Sequence, residues 1–352
     1  MVKIYYPEHY IPKFREELFP LLKPFFKKVN YTNTQRINDY GVSDKDYLFV
    51  NTIEKSDVVI LTMSWNYYKN QKKTDEAIEL IKNSIKHKKK VISFTSGDYG
   101  VKIPFYNNLI VLRPNGYKSK LPLNHFGIPV FISDPLRKRF HTNVVSYLNY
   151  TNTPIIGFCG QTNYSSLNAL KEMVRVIYRN VKFLLKIKND LPQKVISSSL
   201  LRARILNKLK KAKLIDTNFI ERKKYRAGVK TELDREKTTQ EFYDNIKNTQ
   251  YTVCVRGGGN FSVRLYEALA MGRIPLFINT DCLLPFFKFS FWKENTVWLE
   301  SSSINNIDAI LLDFHSNLDE KKMNDIFVRN RLFWEERLTL NGYFRTLFQE
   351  IL

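Results

Sequence analysis

The fold is decided by one stretch in the second half of the chain, which reads Tyr251-Thr-Val-Cys-Val-Arg-Gly-Gly-Gly-Asn-Phe-Ser-Val-Arg-Leu-Tyr-Glu-Ala-Leu-Ala-Met-Gly-Arg-Ile-Pro-Leu-Phe-Ile-Asn279. The apolar residues up to Val255 predict a strand, and the three glycines that follow predict a tight turn. The segment from Ser262 to Gly272 has helical spacing, and a second strand begins at Ile274. Strand, glycine-rich turn, helix and strand in this order form the repeating unit of parallel α/β sheets.

The glycine-rich turn has the features of an anion-binding site. Gly257, Gly258 and Gly259 allow positive φ angles and close approach of a ligand to the backbone. Ser262 is a natural N-cap for the following helix. The free amides and the positive dipole end at a helix start favour a bound phosphate.

Charged side chains around this turn complete a predicted nucleotide-diphosphate pocket. Arg256 and Arg264 carry guanidinium groups that suit phosphate oxygens. Glu267, about a turn further along, is positioned to accept hydrogen bonds from ribose hydroxyls. Arg222 and Arg226, with Lys224 between them, add cations from an upstream basic loop. The spacing fits neither the dehydrogenase glycine fingerprint nor the P-loop, which disfavours both of those classes.

The alternation of strands and helices extends to both sides of this unit. The predicted strands of the N-terminal half are Val2–Tyr6, Val58–Thr62, Lys90–Thr95, Leu109–Leu112 and Ile128–Ile132. After a break at residues 147–154, the series restarts with strands Ile155–Cys159 and Val181–Ile187 and helices Ser165–Arg179 and Ser197–Lys213. The pattern predicts two α/β domains, residues 1–150 and 151–330, and a C-terminal helix, 331–352, that packs back on the first domain.

Composition restricts the class of protein. The chain has 352 residues, of which 43% are hydrophobic, and this excludes a disordered or low-complexity protein. Three scattered cysteines do not form a disulfide framework or a zinc-binding pair, which favours a reducing compartment. Neither a signal peptide nor a long uncharged apolar run is evident, so a cytoplasmic protein is expected.

The net charge of +22 predicts a surface that faces polyanions. Three partners fit: nucleic acid, anionic membrane lipid, and a small phosphorylated substrate. No signature of a known nucleic-acid-binding module appears, so nucleic acid is the weaker choice. The basic segment 202–213 presents cations beside Leu206 and Leu209, so two interpretations are open: a solvated helix, which is the default, or a helix that lies against an anionic bilayer.

The glycine-turn segment resembles the exostosin-like glycosyltransferases, glycosyltransferase family 47. The family pattern is Arg-Gly-x-Gly-x-x-Ser-x-Arg-x-x-Glu-Ala-Leu-x-x-Gly-x-Ile-Pro. Here it is met by Arg256, Gly257, Gly259, Ser262, Arg264, Glu267, Ala268, Leu269, Gly272, Ile274 and Pro275. The later Asp281 and Leu284-Pro285-Phe286 are also similar to the family sequence.

The resemblance implies a GT-B fold, in which two Rossmann-like domains face each other across a cleft and the sugar nucleotide lies mainly on the C-terminal one. It also implies inverting transfer from a UDP-linked sugar, with no cofactor and no obligatory metal. Retaining GT-B enzymes often carry a second glutamate eight positions after the first, and Pro275 occupies that position here. Asp44-Lys-Asp46 is a D-x-D tripeptide, but its polar surroundings predict a solvated loop rather than a metal site.

An inverting reaction needs a general base close to the acceptor hydroxyl. In a GT-B arrangement it comes from a loop at the carboxyl end of an N-domain strand. Asp98 follows the strand Lys90–Thr95 directly and meets that requirement, while His9 and His125 are the alternatives.

The predicted function is transfer of a sugar from a nucleotide donor to a saccharide or lipid-linked saccharide acceptor. The setting expected for it is synthesis of a cell-surface polysaccharide or glycolipid, in the cytoplasm or at the inner face of a membrane. The alternative is a basic α/β protein that binds nucleic acid and has no transferase activity. A second alternative is a protein that binds a sugar nucleotide without transferring the sugar.

Overall fold

A computed structural model describes residues 1–8, 12–26, 31–286 and 290–352, apart from the side chains of Tyr225 and Arg226. The strands in the described ranges are β1 (Val2–Tyr5), β2 (Tyr47–Phe49), β3 (Val58–Ile60), β4 (Lys90–Phe94), β5 (Leu109–Arg113), β6 (His125–Gly127), β7 (Ile155–Gln161), β8 (Asp216–Arg222), β9 (Tyr251–Cys254), β10 (Ile274–Asn279) and β11 (Val297–Glu300).

The helices alternate with these strands along most of the chain. They are α1 (Asn33–Tyr40), α2 (Trp65–Asn70), α3 (Thr74–Lys86), α4 (Pro135–Phe140), α5 (Ser166–Leu184), α6 (Ser198–Lys211), α7 (Glu232–Lys247), α8 (Val263–Ala270), α9 (Phe291–Glu294), α10 (Ile307–Ser316), α11 (Glu320–Phe333) and α12 (Leu340–Ile351). None of the described helices is both long enough and apolar enough to cross a bilayer.

The strands form two separate parallel sheets. The N-terminal sheet has the order β2-β1-β3-β4-β5-β6, and the C-terminal sheet has the order β11-β10-β9-β7-β8. Strands β3, β5 and β9 are buried along their whole length, as expected of parallel strands covered on both faces. The predicted α/β class with two parallel-sheet domains is confirmed.

The last helix of the chain packs in the first domain. Tyr343, Phe344 and Phe348 of α12 lie in the same buried cluster as strands β1, β3, β4 and β5. The Tyr343 hydroxyl donates a hydrogen bond to the Gly127 carbonyl at 2.8 Å. The chain therefore closes the N-terminal core with residues more than 200 positions away from its strands.

The crossing between the domains lies earlier than the predicted break at residues 147–154. Leu136 and Val145 already belong to the C-terminal core, whereas Phe131 still packs against the N-terminal one. The chain crosses earlier because α4 packs against α8 of the C-terminal domain, a contact that the local composition does not indicate.

Two strand predictions are wrong. Residues 181–187 continue α5 to Leu184 and then turn at Lys186, which has a φ of 58°. The sheet position predicted for them is taken by β8, an edge strand with a polar sequence and no fully buried residue. Residues 128–132 are also not a strand, because the last pairing in the N-terminal sheet is made by β6 immediately before them.

The predicted bilayer face of the basic helix is wrong as well. Helix α6 turns Leu206 and Leu209 into the C-terminal core, where both are completely buried. Only its charged side faces solvent. This helix therefore has no apolar face left for a membrane.

Candidate active site

The candidate site forms where the carboxyl ends of the two sheets meet. The loop after β4 contains Asp98, and the loop after β9 contains the three glycines. A Cβ added to Gly258 would lie 3.1 Å from Asp98 Oδ2, and one added to Gly259 would lie 2.6 Å from the Asp98 carbonyl oxygen. The two loops are thus in contact across the domain interface, at the strand ends where α/β proteins bind ligands.

Gly258 and Gly259 serve this contact rather than a left-handed backbone. The expectation of positive φ angles is wrong, because none of Gly257, Gly258 and Gly259 lies in that region. A side chain on Gly259 would meet both the Asp98 backbone and the Phe261 ring. A side chain on Gly257 would have no atom within 4 Å.

This difference predicts opposite outcomes for two alanine substitutions. Gly259→Ala is expected to destabilise the protein by about 1–3 kcal/mol, because the new methyl group forces the two loops apart. Gly257→Ala is expected to leave stability unchanged or slightly raised, because it only restricts the unfolded chain. Urea unfolding of both variants measures the difference, and equal midpoints would contradict the close contact.

Arg256 is buried at the centre of this interface. Its Nη1 donates to the Tyr117 hydroxyl at 3.0 Å, and its Nη2 donates to the Gly258 carbonyl at 3.2 Å. Its Nε–H is buried and has no hydrogen-bond partner among the described residues. A buried donor without a partner is costly, so this Nε–H is an unsatisfied donor at the domain interface.

Asp98 is reached by solvent but lies in a partly desolvated loop. Desolvation raises the pKa of Asp98, and the positive charges of Arg179 and Arg256 act against that rise. A carboxylate with a raised pKa is a stronger base than an ordinary aspartate. Its position beside the glycine turn brings it together with the residues predicted to hold a diphosphate.

Arg264 and Ser262 lie close to this interface but differ from their predicted contacts. Arg264 donates to the carbonyl of Cys159 at 2.6 Å and stacks 4.2 Å from the centre of the Phe158 ring. Its Nε–H is again buried without a partner in the described part of the chain. Ser262 occupies the N-cap position of α8, yet its side chain makes no capping hydrogen bond.

Glu267 and Arg222 each have a protein partner. The Glu267 carboxylate is hydrogen bonded to the Tyr243 side chain. Arg222 donates to the Thr238 carbonyl at 2.8 Å and forms an ion pair with Glu241. A ribose or phosphate would have to share these groups with the protein.

The remaining residues predicted for the site lie outside the described residues, are exposed, or are bound to another side chain. The Arg226 side chain and His9 lie outside the described residues, and Lys224 is exposed. His125 is held against Arg113 at 3.2 Å, and burial, followed by that positive charge, lowers the pKa of His125 to about 4. Its Nδ1 therefore accepts a hydrogen bond from the Arg113 guanidinium.

The D-x-D tripeptide lies in a local turn. The Asp46 carboxylate accepts a hydrogen bond from the Ser43 amide at 2.6 Å, and Asp44 is exposed. Within the described ranges, no three His, Cys, Asp or Glu side chains are grouped as metal ligands.

The structure adds residues that the sequence analysis did not assign to the site. Arg202 of α6 donates to the Gln161 carbonyl at the end of β7 at 2.6 Å. Burial, followed by the charge of nearby Arg264, lowers the pKa of Arg202 to about 10. Arg202 belongs to the basic segment 202–213, but only the tertiary structure shows that its side chain reaches the carboxyl end of β7.

Two further residues join the domains beside the glycine turn. The Asn260 side chain donates to the Gly116 carbonyl at 2.9 Å and to the Asp281 carbonyl at 3.0 Å. The Asp281 carboxylate accepts from the Ser119 hydroxyl at 2.6 Å. Asp281 belongs to the sequence segment that carries the family resemblance, and the structure places it at the domain interface.

Comparisons with known proteins identify partial relatives. No protein-family profile matches the chain. It is 32% identical over 72 residues to the rice (Oryza sativa subsp. japonica) protein named "Probable glucuronosyltransferase GUT1", and 31% identical over 70 residues to the Arabidopsis thaliana protein named "Probable beta-1,4-xylosyltransferase IRX10". Each match covers 20% of this chain and 17% of the relative, so less than a fifth of the relatives' length is matched.

The resemblance to the exostosin-like glycosyltransferases, family 47, is confirmed. A solved structure of a TarM variant from S. aureus, in complex with fondaparinux, α-GlcNAc-glycerol and UDP, is also similar. It has a TM-score of 0.35 at 8% identity, and the similarity covers 83% of this chain and 54% of that chain. The matched rice and Arabidopsis proteins are named as probable glycosyltransferases.

Proposed function

We propose that this chain is an inverting glycosyltransferase that moves a sugar from a UDP-linked donor to a saccharide acceptor without a metal ion. The observation that carries the proposal is the contact of the Asp98 loop with the turn formed by Arg256 and Gly257–Gly259. It joins a candidate base on one domain to a candidate diphosphate site on the other. The exostosin-like resemblance supports the same reaction class.

In the proposed reaction, the Asp98 carboxylate takes the proton of the acceptor hydroxyl while the oxygen of that hydroxyl attacks the anomeric carbon of the donor sugar. The bond from that carbon to the diphosphate oxygen breaks, and the sugar inverts its configuration. The leaving diphosphate gains negative charge, which Arg256 and the first amides of α8 would stabilise. Arg264 and Arg202 would strengthen the positive potential at the end of β7.

The buried Nε–H groups of Arg256 and Arg264 support a phosphate ligand. Both donors lack a partner among the described residues, whereas most buried donors in folded proteins are paired. Glu267, three residues after Arg264 on α8, would accept hydrogen bonds from the ribose while keeping its hydrogen bond to the Tyr243 side chain. The relatives' names make UDP-glucuronic acid and UDP-xylose the first donors to test.

A thermal-shift screen tests the donor site. UDP is expected to raise the melting temperature, because a ligand that binds only the folded state stabilises it by mass action, about 2.7 kcal/mol at a hundredfold excess over Kd. ADP and GDP serve as matched controls for the base, and inorganic pyrophosphate serves as the control for the phosphates alone. No shift with any nucleotide would contradict the proposed site.

The reaction itself is tested by product analysis with the two candidate donors. Proton NMR of the product is expected to show the opposite anomeric configuration to the donor, with equal yield in the presence of EDTA. Retention of configuration would contradict the need for a base, and loss of activity with EDTA would contradict metal-independent departure.

A further inference from the structure

Helix α5 carries an apolar stripe on its outer side. Seven large apolar side chains follow helical spacing, and each of them is between 42% and 74% exposed. They are Leu167, Leu170, Val174, Ile177, Tyr178, Val181 and Leu184. An apolar stripe on a helix normally faces the core, so this orientation indicates a surface that another partner covers.

The inner side of α5 is fixed by polar contacts, which explains the reversed orientation. Glu172 accepts hydrogen bonds from the hydroxyls of Ser197 at 2.7 Å and Ser199 at 2.6 Å. Asn180 exchanges two hydrogen bonds with the Gln193 backbone, at 2.8 Å and 2.9 Å. These pairs would be lost if the helix rotated to bury its apolar stripe, so the stripe stays outside.

A row of cations runs along one edge of the stripe. At 100° per residue, Lys171, Arg175 and Lys182 project beside the apolar residues on the same flank. Lys182 lies 4.3 Å above the Tyr178 ring. The single acidic residue of the helix, Glu172, is used on the inner side.

We propose that α5 docks on an anionic phospholipid surface, with the stripe in the acyl–headgroup boundary and the cations on the phosphates. The combination of an apolar stripe with flanking lysine and arginine is that of an interfacial helix. A second copy of the chain is the poorer partner, because antiparallel two-fold pairing of the stripes would bring their cationic rows together. Five charged residues within α5 also suit a helix that lies on a membrane and does not cross it.

The proposed surface is linked to the candidate site through Arg179. This side chain lies on α5 between the cationic row and the inner side, and its guanidinium stacks 3.9 Å from the centre of the Tyr99 ring, next to Asp98. Docking would therefore bring the Asp98 loop close to the lipid headgroups. That consequence rests on the proposed function, whereas the docking itself needs no sugar nucleotide.

Co-sedimentation with vesicles tests the docking. The protein is expected to pellet with vesicles of phosphatidylcholine and phosphatidylglycerol but not with phosphatidylcholine alone, and high salt is expected to release it. Leu170→Glu combined with Val174→Glu is expected to abolish pelleting. Leu233→Glu is the matched control, because Leu233 is 81% exposed on a different helix, α7.

The cationic row is tested separately by Lys171→Gln and Arg175→Gln. Each substitution is expected to weaken partitioning about fivefold. Far-UV circular dichroism of all variants is expected to match that of the parent, since the altered side chains are exposed.

Three outcomes would overturn the proposal. The first is that the parent protein does not pellet with the anionic vesicles. The second is that the double variant Leu170→Glu with Val174→Glu pellets as the parent does. The third is that Leu233→Glu abolishes pelleting to the same extent as the double variant. A parent that sediments as a dimer without lipid, with a monomeric double variant, would assign the stripe to a second copy instead. Because no donor is present, these results are independent of whether the protein transfers sugar.

Discussion

Asp98→Asn is expected to lower turnover by about 10²–10⁴-fold while UDP affinity stays close to that of the parent. The amide keeps the size of the side chain and its place beside Gly258 but cannot accept the acceptor's proton. Turnover is measured with the donor that the thermal-shift screen selects, and UDP affinity is measured by calorimetry. Reduced turnover with unchanged affinity separates base catalysis from donor binding.

The pH profile gives a second test of the same residue. Desolvation raises the pKa of Asp98, and a base works only when deprotonated. Turnover of the parent is therefore expected to fall as the pH drops through this raised pKa, at a higher pH than for an ordinary aspartate. The residual activity of Asp98→Asn is expected to lack that acidic limb.

Asp44→Asn is the matched control for this substitution. It makes the same chemical change at an exposed position of the D-x-D tripeptide, where no role in transfer is expected. If the Asp98→Asn enzyme is fully active, Asp98 is not the base, and His9 or His125 becomes the predicted base. Loss of activity in Asp44→Asn, restored by a divalent metal, would contradict metal-independent transfer.

Arg256→Ala is expected to weaken UDP binding about tenfold to a hundredfold, through loss of a charge-assisted phosphate contact of roughly 1.5–3 kcal/mol. The same substitution removes a positive charge that lowers the pKa of Asp98. The acidic limb of the activity profile is therefore expected to move to higher pH in this variant. Calorimetry with UDP and the pH dependence of turnover measure the two effects.

Two further variants show whether the loss comes from the phosphate. Arg256→Lys keeps the charge but loses the forked guanidinium, so an intermediate affinity is expected. Tyr117→Phe removes only the hydroxyl that accepts from Arg256 Nη1, so it tests the domain contact without removing the cation. If Arg256→Ala binds every nucleotide as tightly as the parent does, the phosphate assignment is wrong.

The best predicted part of the chain was the segment from Tyr251 to Asn279. Its strand, glycine turn, helix and second strand are present as β9, α8 and β10. The prediction succeeded because each element is short and is ended by a glycine or a polar residue. The two strands and the inner face of the helix are also buried, as their apolar patterns predict.

The less successful predictions concern elements whose environment is not written in their own sequence. Strand β8 is a polar edge strand, and its residues carry no apolar pattern by which to recognise it. The segment 181–187 has the apolar content expected of a strand, but its residues up to Leu184 belong to α5, where Val181 and Leu184 are exposed. The apolar residues of α6 are buried in the C-terminal core, whereas those aligned on α5 face outward, and neither orientation is recorded in the helix sequence.

The amino-acid sequence by itself determined the α/β class, the two sheets and the arginines and glycines of one strand-to-helix turn, because these depend on spacing within a few residues. Only the tertiary structure decided what that turn faces. The contact of Asp98 with Gly258 and Gly259 joins positions about 160 residues apart, as does the hydrogen bond from Arg256 to Tyr117 over 139 residues. Such pairs form only when both sheets fold and their carboxyl edges meet, so no local pattern records them.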